Sequence, residues 1–144
     1  MRYPAILTRE GQYRLAEFPD CPGCQTFASP GEDIERMAAE ALEGWLETGL
    51  ADREEPPRPS RSPTIPPGAE LRWIAVAPSV AAALLVRWAR GEAHLSQAEL
   101  AKRVGVSQQA IAKIERVRGN VTLRTLERVA RALGQRVELK IVQN

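Results

Sequence analysis

The alternation of apolar and polar residues predicts short strands in the first part of the chain. Residues 2–7 are mostly apolar and contain Pro4, which predicts a strand near a sheet edge. After a turn centred on Gly11, residues 13–18 alternate as a returning strand. The sequence leaves open whether residues 25–28 form a third short strand.

A longer pattern with helical spacing follows these strands. Ser29-Pro30-Gly31-Glu32 is typical of a helix start, and apolar residues then recur from Ile34 to Leu46, with Gly49 as the expected stop. Residues 71–76 predict a further strand. The first part therefore has the order ββ(β)αβ.

The second part is predominantly helical. A helix is predicted from Pro78 to Ala89, residues 95–133 carry repeated helix start and stop signals, and residues 136–142 (RVELKIV) alternate like a strand. The predicted fold class is α+β, with a small module joined to an all-α domain that ends in a short strand.

A proline-rich segment separates the two parts. Residues 54–68 contain six prolines, which neither helices nor central strands accept, so a semi-rigid linker is predicted. Residues 1–68 carry seven arginines against twelve acidic residues, a net charge of −5, whereas residues 69–144 carry thirteen basic against six acidic residues, a net charge of +7. The predicted domains are residues 1–53 with the strand at 69–77, and residues 78–144.

Composition narrows the class of protein. Hydrophobic residues make up 44% and charged residues 26%, which is typical of a globular chain. The longest apolar run, residues 80–86, is far shorter than the ~20 residues that a membrane span needs. With no signal-like segment before Arg9 and only two cysteines, the expected compartment is the cytoplasm.

The strongest motif is a helix-turn-helix pattern within residues 95–116. Ser96 and Ser107 are predicted N-caps, and Gly105 supplies the left-handed turn between the two helices. Four apolar anchors have the spacing of two packed helices: Leu100, Val104, Ile111 and Ile114. The alternative, a purely structural helical hairpin, does not account for the polar residues on the outer face of the second helix.

Those polar residues fit DNA chemistry. Gln108 and Gln109 can pair with the N6/N7 edge of adenine, and basic side chains can neutralise phosphates. The helix end beside Gln97 can meet a phosphate. The predicted DNA-binding residues are Gln97, Ser107, Gln108, Gln109, Lys113, Arg116, Arg118 and Asn120. Because one helix-turn-helix covers one half-site, a homo-dimer or higher oligomer on palindromic operator DNA is expected.

Two resemblances accompany these motifs. Residues 95–134 resemble the DNA-binding domain of Xre/Cro-type regulators, although Val117 stands where a glycine commonly ends the second helix and Val121 where a proline is common. The segments MRYPAIL and FPDCPGC, the helix with AEAL, the proline-rich stretch and residues 74–80 resemble the HicB antitoxin family over essentially the whole chain.

The HicB resemblance implies a partial RNase H-like fold in the N-terminal module. It implies binding and inhibition of a HicA-type mRNA interferase toxin and, with the helix-turn-helix, repression of the chain's own operon. An acidic module suits a basic RNA-cutting partner, and the candidate toxin-binding residues are Glu10, Glu17, Phe18 and Asp20.

Other classes of function fit the sequence less well. A nuclease would need several carboxylates on the first strands, which offer only Glu17, so no enzyme activity and no catalytic residues are expected. Cys21-Pro22-Gly23-Cys24 lacks a second cysteine pair, so no metal site and no cofactor are expected. The remaining alternative is a transcription regulator whose N-terminal module senses a small ligand.

Overall fold

The computed structural model describes residues 1–52, 55–116 and 120–143, which form two compact units, Met1–Ala81 and Ala82–Asn144. The boundary between the units falls inside a helix. The elements are β1 (Arg2–Glu10), β2 (Tyr13–Glu17), β3 (Gln25–Ala28), α1 (Ile34–Ala51), β4 (Glu70–Ala75), α2 (Pro78–Glu92), α3 (Gln97–Val104), α4 (Gln108–Ile114) and α5 (Leu123–Ala132). The predicted α+β class, including the third strand, is confirmed.

The first unit is built on a four-stranded antiparallel sheet in the order β3-β2-β1-β4. β1 and β2 form a hairpin in which Glu10 pairs with Tyr13. Gly11, with φ 62°, occupies the first of the two turn positions, where a hairpin turn requires a positive φ. β4 belongs to the same sheet as the first three strands, as the sequence predicted, and it pairs with β1.

The prediction that the first strand lies near a sheet edge is wrong, because β1 is central. β1 pairs with β2 only from Ile6 onward, whereas Pro4 pairs with Trp73 of β4. Pro4 therefore lies on a part of β1 that has a neighbour on one side alone, where a missing N–H is tolerated.

Helix α1 covers one face of the sheet with a single apolar stripe. Its buried residues recur at every fourth position: Ile34, Ala38, Leu42, Leu46 and Leu50. Asp33 caps the helix by accepting hydrogen bonds from the N–H groups of Glu35 and Arg36. The predicted stop at Gly49 is wrong by two residues, because Leu50 is 3% exposed and its packing extends the helix.

The proline-rich segment contacts the first unit. The Tyr3 hydroxyl donates to the Pro57 carbonyl oxygen at 2.7 Å, and Pro56 is buried. The Asp20 carboxylate accepts hydrogen bonds from the backbone N–H of Ser60, at 2.8 Å, and from its hydroxyl. Residues 56–60 are thus tied to β1 and to the loop after β2.

The second unit has a compact apolar core to which α2, α3, α4 and α5 contribute. The core residues are Val86, Leu100, Ala101, Val104, Ile111, Ile114 and Val129. Ser96, Ser107 and Thr122 cap α3, α4 and α5, and the α3 cap is a capping box with Glu99. Gly105 has φ 75°, as the predicted left-handed turn requires.

The predicted strand at 136–142 does not form in the single chain. Among the described residues, this segment has no strand partner. Without a neighbouring strand, its backbone N–H and C=O groups make no inter-strand hydrogen bonds, so the extended segment is not stabilised as a strand. None of the helices within the described ranges has the length and hydropathy of a membrane span.

Candidate nucleic-acid interface and partner surface

Helix α4 presents a polar face at its N-terminus. The Ser107 side chain accepts a hydrogen bond from the Ala110 N–H and fixes the first turn. Ile111 and Ile114 hold the opposite side of the helix in the core. Gln108 and Gln109, the first two residues of α4, are therefore exposed with their amides available to a base edge.

Three further predicted residues surround this face. Lys113 follows Gln109 by one helical turn, and Arg116 follows Lys113 by three residues; both are exposed. Asn120 is also exposed and lines the same groove beside α4 as Lys113, with Thr122 and Thr125. Arg118 lies outside the described residues. The site predictions stay predictions, but these exposed side chains carry N–H groups that can donate hydrogen bonds to phosphate oxygens.

Gln97 has a structural partner that the sequence did not reveal. Its side-chain amide donates to the Glu115 carboxylate at 2.9 Å. Arg90 donates from Nε to one oxygen of Glu115 and from Nη2 to the other, the latter at 2.9 Å, and from Nη1 to the Leu95 carbonyl oxygen at 2.8 Å. This polar cluster joins the end of α2, the start of α3 and the end of α4.

Glu115 is the residue of this cluster that sequence reasoning missed. It is 1% exposed, and its backbone N–H donates to the Ile111 carbonyl oxygen. A signal was present in the spacing, since Glu115 follows the buried Ile111 by four residues and so shares its inward face. A carboxylate at such a position requires a buried cation or several donors.

The sheet face turned away from α1 carries exposed aromatic residues. Residues paired across antiparallel strands share a face, so Phe27, Leu15 and Thr8 form one row, and Trp73 lies on the same face opposite Pro4. Phe27 is 61% exposed and Trp73 is 40% exposed. We call the exposed set Tyr13, Phe27 and Trp73 the aromatic face.

The structure separates the four predicted toxin-binding residues. Glu10 and Glu17 are exposed and share the side of the sheet that carries the aromatic face, through their pairing with Tyr13 and Ile6. Phe18 is 3% exposed and belongs to the core, so it is corrected to a structural residue. Asp20 is occupied by the two hydrogen bonds from Ser60.

The two cysteines line a tight buried loop. The Cys24 N–H donates to the Cys21 carbonyl oxygen, and the Phe18 N–H donates to the Cys24 carbonyl oxygen. Burial raises the pKa of Cys21 to about 12, with Cys24 and Asp20 adding to the effect, and burial raises the pKa of Cys24 to about 11. Both thiols are therefore held protonated at neutral pH.

Comparison with known proteins agrees with this arrangement. A helix-turn-helix family model matches residues 86–139, which include α3, the turn and α4. Antitoxin HicB 1 of Photorhabdus laumondii is 34% identical over 143 residues, which cover 98% of this chain and 87% of the relative. Antitoxin HicB of Escherichia coli strain K12 is 30% identical over 144 residues, which cover 99% of this chain and 100% of the relative.

Among solved structures, a chain of a HicA3 and HicB3 toxin-antitoxin complex is similar with 24% sequence identity and a TM-score of 0.47. The match covers 54% of this chain and 100% of that chain. The family assignment comes from the two curated relatives, whose similarity extends along nearly the whole sequence. The chain therefore belongs to the HicB antitoxin family and carries a helix-turn-helix DNA-binding unit in its C-terminal part.

Proposed function

We propose that this protein neutralises a HicA-type mRNA interferase toxin and represses its own operon as a dimer or higher oligomer on palindromic DNA. The observation that carries repression is the exposed pair Gln108 and Gln109 at the capped start of α4. Family membership supports the toxin as the second partner. Because operator DNA and mRNA are both cytoplasmic, we propose that compartment for the protein.

The aromatic face supports toxin binding through the first unit. Exposed Phe27 and Trp73 provide apolar area of the kind that anchors protein interfaces. Glu10 and Glu17, on the same side of the sheet, add negative charge that suits a basic RNA-binding partner. We therefore assign this side of the sheet, rather than the α1 side, to the toxin.

Repression is tested by DNA-binding titrations on the operator and on random DNA. Gln108→Ala and Gln109→Ala should each weaken the free energy of binding to the operator by about 1–3 kcal/mol, and that of binding to random DNA by much less. Gln12→Ala, the same change at an exposed turn of the first unit, is the matched control. Equal losses on both DNAs would show that the glutamines do not read bases.

Toxin neutralisation is tested by growth rescue and by the affinity of the purified full chains. Phe27→Ser should weaken toxin binding by about 1–4 kcal/mol, as loss of an interface anchor does. Ile65→Ser removes a comparably exposed apolar side chain, Ile65 being 45% exposed, and should leave affinity unchanged. If the two variants behave alike, the aromatic face is not the toxin site.

A further inference from the structure

The turn between α3 and α4 is contacted by a side chain from a third helix. Arg128 of α5 donates from Nη2 to the carbonyl oxygen of Val104, the last residue of α3, at 2.8 Å. A Cβ atom added at Gly105 would lie 3.8 Å from the same Nη2 atom, so the guanidinium rests directly against the turn. Among the described residues, no other side chain from outside α3 and α4 forms a hydrogen bond with residues 104–107.

Arg128 reaches the turn from a fixed position on α5. The next residue, Val129, is 1% exposed in the core of the second unit, and Leu126 packs against the same core. Arg128 is itself exposed, and within the described part of the chain it has no carboxylate partner. Its positive charge therefore acts on the carbonyl end of α3, where the helix dipole is negative.

The turn sets the direction in which α4 leaves α3. Gly105 ends α3 in the left-handed conformation, and the N–H groups of Gly105 and Val106 both donate to the Ala101 carbonyl oxygen. These bonds leave the Val104 carbonyl oxygen to a donor from outside the helix. Because α4 begins at Gln108, only a few residues later, a rotation of the backbone at Val104 displaces the start of α4.

We propose that Arg128 is a positioning residue for DNA recognition. By holding the Val104 carbonyl group, it fixes the turn and thereby the placement of Gln108 and Gln109, and it does so without contacting DNA. A two-pronged contact between a glutamine amide and adenine needs both hydrogen bonds to be aligned at once, so a small displacement weakens it. This role rests on the proposed operator binding and adds to it a residue outside the helix that reads the bases.

Two other roles of Arg128 would have different consequences for DNA binding. A direct phosphate contact would weaken binding to all DNA sequences alike and would lower the slope of binding against salt concentration by about one. A bond that only stabilises the fold would lower the fraction of binding-competent protein and so weaken binding to operator and random DNA by the same factor. A positioning role weakens binding to the operator and leaves the salt slope unchanged.

The decisive experiment titrates the full chain with a duplex that spans the promoter of its own operon and with random DNA of equal length. Arg128→Met removes the donor and the charge, and it should weaken operator binding about tenfold and random-DNA binding less than about twofold. Arg128→Lys keeps a donor and a positive charge, and it should return operator affinity to within about threefold of the original. Arg131→Met changes an exposed arginine of α5 that has no hydrogen bond to the turn, and it should leave both affinities unchanged.

A double-mutant cycle tests whether Arg128 acts through the glutamines. In a chain that already carries Gln108→Ala and Gln109→Ala, no contact to a base is left to displace, so Arg128→Met should weaken operator binding less than about twofold. The full loss in that background, or a salt slope lower by about one, would show that Arg128 contacts DNA directly. An unchanged ratio of operator to random-DNA affinity in Arg128→Met would overturn the positioning role alone, whereas a wild type that binds both DNAs equally would overturn the proposed repression as well.

Discussion

Arg90 of α2 and Glu115 at the end of α4 form a two-pronged ion pair whose carboxylate side chain is only 2% exposed. The pair fixes the end of the helix whose start carries Gln108 and Gln109. Gln97 donates to the same carboxylate, so α3 is tied to the same point. The orientation of α4 in the second unit therefore depends on a carboxylate that takes no direct part in the proposed DNA contacts.

Removing the carboxylate should destabilise the protein strongly. Glu115→Ala removes the buried carboxylate that Arg90 and Gln97 share, and it should lower the free energy of unfolding by about 3–5 kcal/mol, measured by guanidinium denaturation followed by circular dichroism. The matched control is Arg36→Ala, which breaks the exposed pair with Glu40 and should cost about 0.5 kcal/mol or less. Equal costs for the two changes would contradict an anchoring role for Glu115.

His94 should be replaceable by glycine with a gain in stability. It is the only non-glycine residue with a positive φ among the described residues, at 54°, and its side chain is exposed. It ends α2, since the Leu95 N–H donates back to the Arg90 carbonyl oxygen. His94→Gly should stabilise the protein by about 1 kcal/mol by relieving the left-handed conformation. His94→Ala retains that penalty, and a gain as large as that of glycine would refute the explanation.

The local features of the fold and the return of the strand after the proline-rich segment were predictable from the sequence, whereas the side-chain contacts between distant residues were not. Ser96, Gly105 and Ser107 act on groups within a few residues of themselves, so capping rules located them. The bonds from Tyr3 to Pro57 and from Arg90 to Glu115 join residues far apart in sequence, and nothing local indicates them. The aromatic face likewise depends on strand register, which places Phe27 beside Leu15.

The contact of Asp20 with Ser60 should protect the proline-rich segment from proteolysis. Asp20→Ala removes both hydrogen bonds from Ser60 and should cost about 1–3 kcal/mol of local stability. Trypsin should then cut faster after Arg61, which is exposed and follows Ser60 directly. Glu17→Ala is the control, because Glu17 is exposed on β2; cutting at the control rate would show that Asp20 does not retain the segment.

Acid should weaken the α3 cap through Glu99. The Ser96 N–H donates to the Glu99 carboxylate at 2.7 Å, and this bond is the main cause that lowers the pKa of Glu99 from 4.5. A lowered pKa in the folded state means that the stabilisation is complete above the unfolded value and is lost as the pH falls through the folded value.

The difference in urea midpoint between wild type and Glu99→Gln should therefore be larger at pH 7 than at pH 3. Thr122→Ala is the matched control, because the Thr122 hydroxyl caps α5 without a titrating group and its cost should be similar at both pH values. A difference for Glu99→Gln that stays constant with pH would exclude the carboxylate as the source of the effect.

The cysteine loop should be chemically inert in the folded protein. The thiolate is the reactive form, and burial raises the pKa of Cys21 to about 12 and that of Cys24 to about 11, so little thiolate exists at pH 8. Reaction with an aromatic disulfide reagent should be at least about 100-fold slower in the native chain than in guanidinium. Ser62→Cys places a thiol at an exposed position and should react at once, which separates protein effects from reagent effects. Fast native reaction at both cysteines would instead indicate an accessible thiol pair and would reopen a redox role for the loop.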